Sequence, residues 1–595
     1  MTRSPARRPL TAAVASGATL AVVTALLSPV ATEASWTESE WDTATVTTLD
    51  CAVAEGLESR AGGRILTGEL LGASLDPVVS LDGVTAFNDG AVSTGSPASA
   101  TLVAPHTYRN AIGLGAIADL IHLDLGLALP LEFGTGAYAQ HGQARPDGTS
   151  TGASGVVTDG GAVDLDAIED GSAPDVGTLR LSDLPGLGAA LGPITDLELE
   201  IGAVGASATV DGCQTAWTGE SEATLQRAYG VAGLDLDVES PAVRAVDEGL
   251  SGALDDLLVS LGSTVTAVEA ALSTVVKDGL GGILNGLLDN PLLSLGRIDP
   301  TVEITLDPTP VLTVLTAPLT DGAITVDLTR GRIGVDLAVL LGDLHEDSDG
   351  LNGRAPNTPV LSADVLTAIV QRVAKLLRDP VAETGLLYDL EAALDRMILD
   401  AEVAIIVDAK IAADLGLLGT LNVVDIDLGI TTSVGGLLGY PDHTPPDPDV
   451  KVALLNSGLL GLLLAPVNAL VNLLLGGLKG LVSEILVPLI AGTLQTLLLQ
   501  PADALIGSVL DTAVGIVTTL VDVLGPALGL VGQLVSITLN SQPDRPPYPD
   551  APGTALPGEY IVSALRIGVL DGPGAGAASL LNLFLATARV GPNVR

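Results

Sequence analysis

Residues 452–539 read VALLNSGLLGLLLAPVNALVNLLLGGLKGLVSEILVPLIAGTLQTLLLQPADALIGSVLDTAVGIVTTLVDVLGPALGLVGQLVSITL. No charged residue lies between Lys451 and Lys479. In water such a stretch must be covered by other parts of the protein, whereas in a membrane protein lipid would cover it. The fold depends on which of the two covers it.

The polar residues within and beside this stretch favour a protein core. Its first 27 residues could span a bilayer, but single lysines flank them, and a basic cluster on one side is absent. The helices that follow carry acidic residues at intervals, as helices do when one edge reaches water. We therefore expect buried helices and no transmembrane span in the mature chain, with a bilayer span and an apolar groove for lipid as alternatives. The polar residues concerned are Asn456, Asn468, Asn472, Glu484, Asp503, Asp511 and Asp522, and a proline, Pro466, lies among them.

The composition is that of an acidic, aliphatic protein. Hydrophobic residues make up 47% of the 595 residues and aromatic residues only 2%, so Leu, Val, Ile and Ala must fill the core. A formal net charge of −45 repels nucleic-acid phosphates and anionic lipid headgroups. We expect no nucleic-acid partner. Such acidity is typical of proteins that are soluble in an ion-rich medium outside the cell, and divalent-cation binding is the alternative explanation.

The N-terminus has the three parts of a secretory signal peptide. Three arginines (Arg3, Arg7 and Arg8) precede an apolar run over residues 10–27, and a small residue, Ala34, follows. We predict a signal peptide over residues 1–34 and a secreted mature chain, with an uncleaved N-terminal anchor as the alternative.

Two cysteines follow the leader. In an exported protein, the even count predicts a disulfide between Cys51 and Cys213. Its long loop would restrict the unfolded chain, which contributes roughly 4–5 kcal/mol in the chain-entropy model. The alternative is two buried thiols.

Periodicity divides the rest of the chain into three parts and predicts an α+β fold. Residues 35–240 alternate in short runs, such as 121–129, and read as an antiparallel β-rich domain. Residues 241–440 begin with a long amphipathic helix, capped by Ser240 and broken near Gly279–Gly282, and continue as helices and extended antiparallel strands. Residues 441–595 read as Leu-rich helices with closing strands. Prolines break those helices at Pro466, Pro488 and Pro501.

One acidic loop has the chemistry of a calcium site. Hard carboxylate and amide oxygens on a glycine-containing loop suit Ca²⁺, although the spacing does not match an EF-hand. A solvated acidic loop is the simpler interpretation, and no other cofactor is expected. The candidate ligands are Asp343, Glu346, Asp347, Asp349 and Asn352.

We find no catalytic motif and predict no catalytic residue. The sequence contains no Gly-x-Ser-x-Gly, and no histidine has a serine or cysteine at a recognisable spacing. Two carboxylate pairs, Asp235/Asp237 and Asp425/Asp427, each share one strand face, which is typical of an exposed polar face more than of a glycosidase pair. The five histidines are His106, His122, His141, His345 and His443.

Both ends of the mature chain resemble a known family. SWTESEWDTATVTTLDCAV (35–53) and RILTGELLGASLDPVVSLDGVTAFNDG (64–90) are similar to the opening of the actinobacterial choice-of-anchor G family, and LRIGVLDGPGAGAASLLNLFLATARVGPN (565–593) is similar to its closing segment. The resemblance implies a secreted Gram-positive surface protein. The sequence departs from the family's pattern near Arg595, because no Leu-Pro-x-Thr-Gly sorting signal precedes this residue. We therefore do not expect covalent anchoring to the cell wall.

These observations together predict a non-enzymatic secreted protein associated with the cell surface, with a structural or adhesive role. Its expected partners are components of the cell envelope or other surface molecules. The alternative is a lipid-binding or lipid-transfer protein whose Leu-rich helices and sheets form an apolar groove. A hydrolase is a third interpretation, which no motif supports.

Overall fold

A computed structural model describes residues 51, 56–75, 83–114, 131–184, 187–218, 224–288, 293–345, 350–414, 419–455, 464–553, 555–570 and 579–593. Helices and antiparallel strands recur along this part of the chain, so the fold class is α+β, as predicted. The predicted signal peptide and the predicted strand at 121–129 lie outside the described residues.

The strands, in chain order, are β1 (Glu58–Leu70), β2 (Ala73–Ser74), β3 (Val84–Asp89), β4 (Ser93–Ser96), β5 (Thr101–Ala104), β6 (Thr107–Gly113), β7 (Leu131–Phe133), β8 (Ala137–Ala144), β9 (Thr149–Gly155), β10 (Gly177–Arg180), β11 (Asp196–Ile201), β12 (Val204–Asp211), β13 (Gln226–Val231), β14 (Leu234–Glu239), β15 (Leu293–Thr305), β16 (Leu319–Thr320), β17 (Ile324–Asp327), β18 (Arg332–Asp336), β19 (Thr358–Pro359), β20 (Glu402–Asp414), β21 (Thr420–Ser433), β22 (Asp449–Leu454), β23 (Val535–Ser541), β24 (Tyr560–Val569) and β25 (Leu581–Val590).

The helices are α1 (Leu165–Glu169), α2 (Leu187–Ala190), α3 (Gly212–Thr218), α4 (Pro241–Leu287), α5 (Thr309–Thr316), α6 (Leu337–Leu344), α7 (Ala363–Leu377), α8 (Leu386–Leu399), α9 (Val434–Leu438), α10 (Leu464–Leu481), α11 (Val487–Leu494) and α12 (Gln500–Leu534). A 3₁₀ turn covers Leu181–Asp183, and π-helical turns cover Val482–Leu486 and Gln495–Leu499.

The strands form four antiparallel sheets. Sheet I has the order β19-β23-β24-β25-β1-β3-β4, with β2 paired to β1, and sheet II has the order β16-β17-β18-β14-β11-β10-β7. Sheet III has the order β13-β12-β9-β8-β6-β5, and sheet IV has the order β15-β20-β21-β22.

The first and last described strands are neighbours. β1 pairs with β25 along its length, from Ala61 opposite Val590 to Leu70 opposite Leu581. The predicted domain boundaries at 240 and 440 stay predictions, but strands pair across both of them, β14 with β18 and β21 with β22. The described fold is therefore closed by pairing between its two ends.

Glycines allow sheets I and III to pack against each other at very short range. A Cβ atom on Gly63 of β1 would lie 1.8 Å from the backbone oxygen of Ala153 in β9. A Cβ atom on Gly152 would lie 2.4 Å from the oxygen of Gly62. No side chain fits in such a gap, so the two sheets meet backbone to backbone.

Helix α4 begins as the sequence predicts but does not break. The Ser240 hydroxyl accepts a hydrogen bond from the Ala242 backbone N–H at 3.2 Å, and Pro241 occupies the first helical position. The predicted break near Gly279–Gly282 is wrong, because α4 continues for 47 residues, about 70 Å. Gly279 faces a neighbouring helix, where a Cβ atom would lie 2.9 Å from Leu486 Cδ1.

The segment from α10 to α12 is helical throughout. The prediction that Pro488 and Pro501 break it is wrong, since the helix continues through both prolines. Each proline lies two residues after the last residue of a π-helical turn. A proline has no N–H and its ring crowds the carbonyl four residues earlier. In both cases that carbonyl belongs to the π turn, whose wider turn makes room for the ring.

The π turns also keep one apolar stripe facing inward. Every fourth residue from Leu474 to Leu498 is fully buried. In a regular α-helix a four-residue repeat drifts by about 40° per step, which would carry the stripe around the helix. A π turn contains more residues per turn and corrects this drift. The stripe consists of Leu474, Leu478, Val482, Leu486, Ile490, Leu494 and Leu498.

Helix α4 and the α10–α12 segment lie antiparallel and share a core with sheet IV. Gly249 of α4 faces Ile516, and Gly279 of α4 faces Leu486. The two contacts are separated by 30 residues along each helix, in opposite chain directions, which is a distance of about 45 Å. The stripe and the second half of α4 cover the inner face of sheet IV, whose β20 residues Val403, Ile405, Val407, Ala409 and Ile411 are fully buried. A second, larger core joins the first half of α4 to sheets I, II and III.

Two helical segments in this part of the chain, Pro241–Leu287 and Val471–Leu534, are long and apolar enough to cross a membrane by length and composition. Both bury one face in the cores described above. The expectation that the mature chain has no membrane span stays a prediction.

Replacing Gly63 by Ala should reduce the free energy of unfolding by more than about 3 kcal/mol, because the new methyl group meets rigid backbone and no rotamer relieves the overlap. The matched control is Gly262→Ala at an exposed position of α4 with open space around it. That change should raise stability by up to about 1 kcal/mol. Denaturant unfolding measures both values, and equal effects of the two variants would contradict the packing described.

Candidate functional site

The predicted disulfide is present. Cys51 and Cys213 are bonded across a sequence separation of 162 residues, with Cα atoms 5.6 Å apart. Cys213 lies in the first turn of α3, directly after β12. The bridge therefore joins the segment that precedes β1 in sheet I to sheet III.

The described residues of the predicted calcium loop have other partners. Asp343 Oδ2 accepts a hydrogen bond from Arg372 Nη2 at 2.8 Å. The Asn352 side chain accepts from the Val231 N–H at 2.9 Å and donates to the Val231 oxygen at 3.2 Å, which extends β13 by one pair of bonds. Glu346, Asp347 and Asp349 lie outside the described residues, so the calcium site stays a prediction. Within the described ranges no group of three or more His, Cys, Asp or Glu is placed to hold a metal ion.

The carboxylate pair Asp235/Asp237 belongs to a larger acidic row. Asp235 lies directly between Glu200 of β11 and Asp336 of β18 on one face of sheet II. Burial, followed by repulsion from Asp336 and Glu200, raises the pKa of Asp235 to about 6. Burial also raises the pKa of Asp237, although Arg332 opposes the shift. The sheet register, which pattern reading could not supply, creates this row.

The second pair, Asp425/Asp427, lies on the outer face of sheet IV. Asp427 sits opposite Asp408 of β20. Desolvation and the hydrogen bond with Asp408 raise the pKa of Asp427. Asp427 is exposed, as expected for a polar outer face.

The fold brings two serine–histidine pairs together that sequence spacing did not reveal. Ser93 Oγ and His106 Nδ1 share a hydrogen bond of 2.6 Å, but the same hydroxyl contacts the Ala144 oxygen at 3.2 Å. In the other pair, Ser433 Oγ lies 3.2 Å from His443 Nδ1. Their separations of 13 and 10 residues match no catalytic motif.

Neither pair has the geometry of a nucleophile and its base. Asp400 Oδ1 lies 3.4 Å from His443 Nδ1, the same ring nitrogen that contacts Ser433. A catalytic relay needs the carboxylate and the hydroxyl on opposite ring nitrogens. The Ser433 hydroxyl also accepts the Gly436 N–H at 3.1 Å and so caps α9. These contacts are those of a helix cap and a turn.

His141 is the deeply buried histidine of sheet III. It lies opposite Arg109 and Ala153, and Gly161 covers its ring. Burial, followed by the charge of Arg109, lowers the pKa of His141 to about 4. The ring is therefore neutral near pH 7.

An open cleft of about 770 Å³ lies between α5, α7 and α8. Its walls combine apolar side chains such as Val314 and Leu376 with the cations Arg372, Lys375 and Arg396. Arg372 is held by Asp321 at 3.3 Å and by Asp343 at 2.8 Å. The cleft could hold a small amphiphilic molecule, and no sequence motif pointed to it.

A family model for a domain of unknown function, DUF8394, matches residues 61–591. The chain belongs to the DUF8394 family. No curated protein and no solved structure matches it. The match begins in β1 and ends one residue after β25, the two strands that pair with each other. The DUF8394 domain therefore corresponds to the closed fold, and the resemblance to the choice-of-anchor G family stays a prediction.

In the DUF8394 chain, replacing Asp235 by Asn should raise the free energy of unfolding by about 1 kcal/mol near neutral pH. Native Asp235 keeps its proton up to about pH 6, whereas the unfolded chain releases it near 3.8, so ionisation lowers stability as pH rises through this window. The gain should be complete above about pH 6 and should disappear below about pH 4.

Denaturant unfolding of wild type and variant at several pH values measures this difference. The matched control is Asp256→Asn, which changes the net charge equally at an exposed position of α4. A gain of the same size in the control would show that net charge, and not the acidic row, is responsible.

Proposed function

We propose that the mature protein is exported and acts outside the cell as a non-enzymatic protein with a structural or adhesive role at the cell surface. The observation that carries this proposal is the Cys51–Cys213 disulfide. Disulfides persist in oxidising compartments and are rare where thiols are kept reduced. The signal-peptide pattern of residues 1–34 points to the same destination.

The closure of the fold supports a structural role. β1 and β25 hold the two ends of the domain in one sheet, and the disulfide joins the segment before β1 to sheet III. Helix α4 and the antiparallel α10–α12 segment contact each other at two points about 45 Å apart, one in each core. Such pairing protects the first and last described strands from local unfolding and proteolysis.

The contacts of the serine–histidine pairs support the non-enzymatic part of the proposal. Ser433 caps a helix and shares one nitrogen of His443 with Asp400, and Ser93 contacts a backbone oxygen. These hydroxyls stabilise turns and helix ends. The net charge of −45 disfavours nucleic acid as a partner. Components of the cell envelope are the expected partners because the disulfide and the signal-peptide pattern point to export.

A lipid-binding role is the second candidate, because one row of leucines and isoleucines on the α10–α12 segment is exposed. It comprises Leu473, Ile485, Leu489 and Leu497, which lie beside the buried stripe. Among the described side chains of both helices, those that face sheet IV are at most 8% exposed, so this part of the interface is filled. Bound lipid would therefore lie on the surface of these helices.

Export and disulfide formation can be measured together by mass spectrometry of the protein from its native host. We expect the protein in the culture fluid or the surface fraction, with the mass of residues 35–595 less two hydrogens. Reduction should lower its stability by roughly 4 kcal/mol through release of the long loop. Cys213→Ser is the control, since reductant should not change its stability further.

Two further measurements separate the candidates. Fractionation should place the protein with the envelope after a gentle wash, and organic extraction should release no lipid. An intact 595-residue chain with free thiols in the cytosol would contradict export. Stoichiometric lipid in the extract, lost when Leu489 and Leu497 are replaced by Ser, would favour the lipid-binding candidate.

A further inference from the structure

The open cleft of about 770 Å³ between α5, α7 and α8 is lined by one face of each helix. On α8 the lining residues are Asp389, Ala392, Ala393 and Arg396, which follow the spacing i, i+3, i+4 and i+7 of a single helix face. The same spacing recurs along α7 and α5. The volume lies within the range of roughly 300–1,000 Å³ that is typical of small-molecule sites. Three helices therefore build one elongated site.

The middle of this cleft is apolar. Val314, Leu319 and Leu376 line it and pack from below against the larger core, where they are only partly buried. At the same level α8 contributes the methyl groups of Ala392 and Ala393, which take up little of the space. An apolar ligand body placed here would lose its contact with water against both walls.

Two opposite charges stand at the ends of the α8 face. Asp389 and Arg396 are two helical turns apart, about 10.5 Å along the helix axis. Both side chains are exposed. Within the described part of the chain, neither the Asp389 carboxylate nor the Arg396 guanidinium has a hydrogen-bond or ion-pair partner. These two groups are therefore available to a ligand.

The other charged groups of the cleft are already engaged. Arg372 forms ion pairs with Asp321 at 3.3 Å and with Asp343 at 2.8 Å. The Asp379 carboxylate accepts two backbone N–H groups of the loop that follows it, at 2.9 and 3.1 Å. These bonds, and then the charge of Lys375, lower the pKa of Asp379. The lining holds three acidic and three basic side chains, so a ligand without net charge matches it.

We propose that this cleft, which we call the α8 cleft, binds a short apolar peptide with free termini. Its ammonium group would bind Asp389 and its carboxylate would bind Arg396, each through charge-assisted hydrogen bonds. An extended chain spans about 3.3–3.6 Å per residue, so three residues bridge the distance of about 10.5 Å between the two charges. The apolar side chains would then lie against the middle of the cleft. The site would bind its peptide wherever the protein acts, so it does not depend on the proposed function.

Titration calorimetry of the mature protein with the tripeptide alanyl-leucyl-alanine tests the α8 cleft. We expect one saturable site at low, constant ionic strength. The N-acetylated tripeptide and the C-terminal amide should each bind about fivefold more weakly, because each lacks one of the two charged ends.

Two variants assign the ends of the peptide to their partners. Arg396→Gln should bind the free acid and the amide equally, and Asp389→Asn should bind the free amine and the acetylated peptide equally. The matched controls are Arg378→Gln and Glu391→Gln, which remove the same charges at exposed positions outside the lining. Both controls should bind within about twofold of wild type and keep both preferences.

Peptide length and a filled cleft provide independent readouts. The dipeptide and the pentapeptide should bind several-fold more weakly than the tripeptide, since their termini do not match the spacing of the two charges. Ala392→Trp, at an exposed position of α8, should fill the middle of the cleft and abolish binding with the melting temperature unchanged. No saturable binding, affinity independent of length, or equal losses in Arg396→Gln and Arg378→Gln would overturn the proposal.

Discussion

The pairing of β1 with β25 is the constraint on which the rest of the structure depends. It joins residues more than 500 positions apart in the sequence and makes one sheet from both ends of the domain. The glycines of β1 then allow sheet III to approach at backbone contact distance. The disulfide connects the segment before β1 to the same sheet III. Loss of this one pairing would therefore disturb the packing of sheet I against sheet III.

The apolar segment from residue 464 onward forms one long helix, in which two π turns keep the buried residues on one face. Its four-residue repeat does not fit a regular α-helix, and the two π turns return the buried stripe to sheet IV. Close contacts at Gly249 and Gly279 let α4 lie alongside. The acidic residues stay on the outer edge, where Glu484 and Asp511 are exposed. A sequence that reads as a membrane span is in this way covered on one face by protein.

Local signals predicted the parts of the fold that local chemistry determines. The Ser240–Pro241 helix start, the α+β class and the Cys51–Cys213 bridge follow from capping, periodicity and cysteine count. The predicted breaks at Gly279–Gly282, Pro488 and Pro501 are wrong because tertiary packing and π turns outweigh the local preferences of glycine and proline. The acidic row around Asp235 and the Ser433–His443 contact could not be predicted. Each is created by register or by contact between segments whose pairing no local pattern encodes.

Cysteine trapping of the β1–β25 register tests the closed fold most directly. Glu69 lies directly opposite Asn582, whereas Glu58 lies at the other end of β1, about 36 Å along the strand. Under mild oxidation, Glu69→Cys with Asn582→Cys should form a second disulfide, and Glu58→Cys with Asn582→Cys should not. Peptide mass spectrometry identifies the bonds and confirms that Cys51–Cys213 is retained. No bond in the first variant, or equal bonding in both, would contradict the pairing of the chain's two ends.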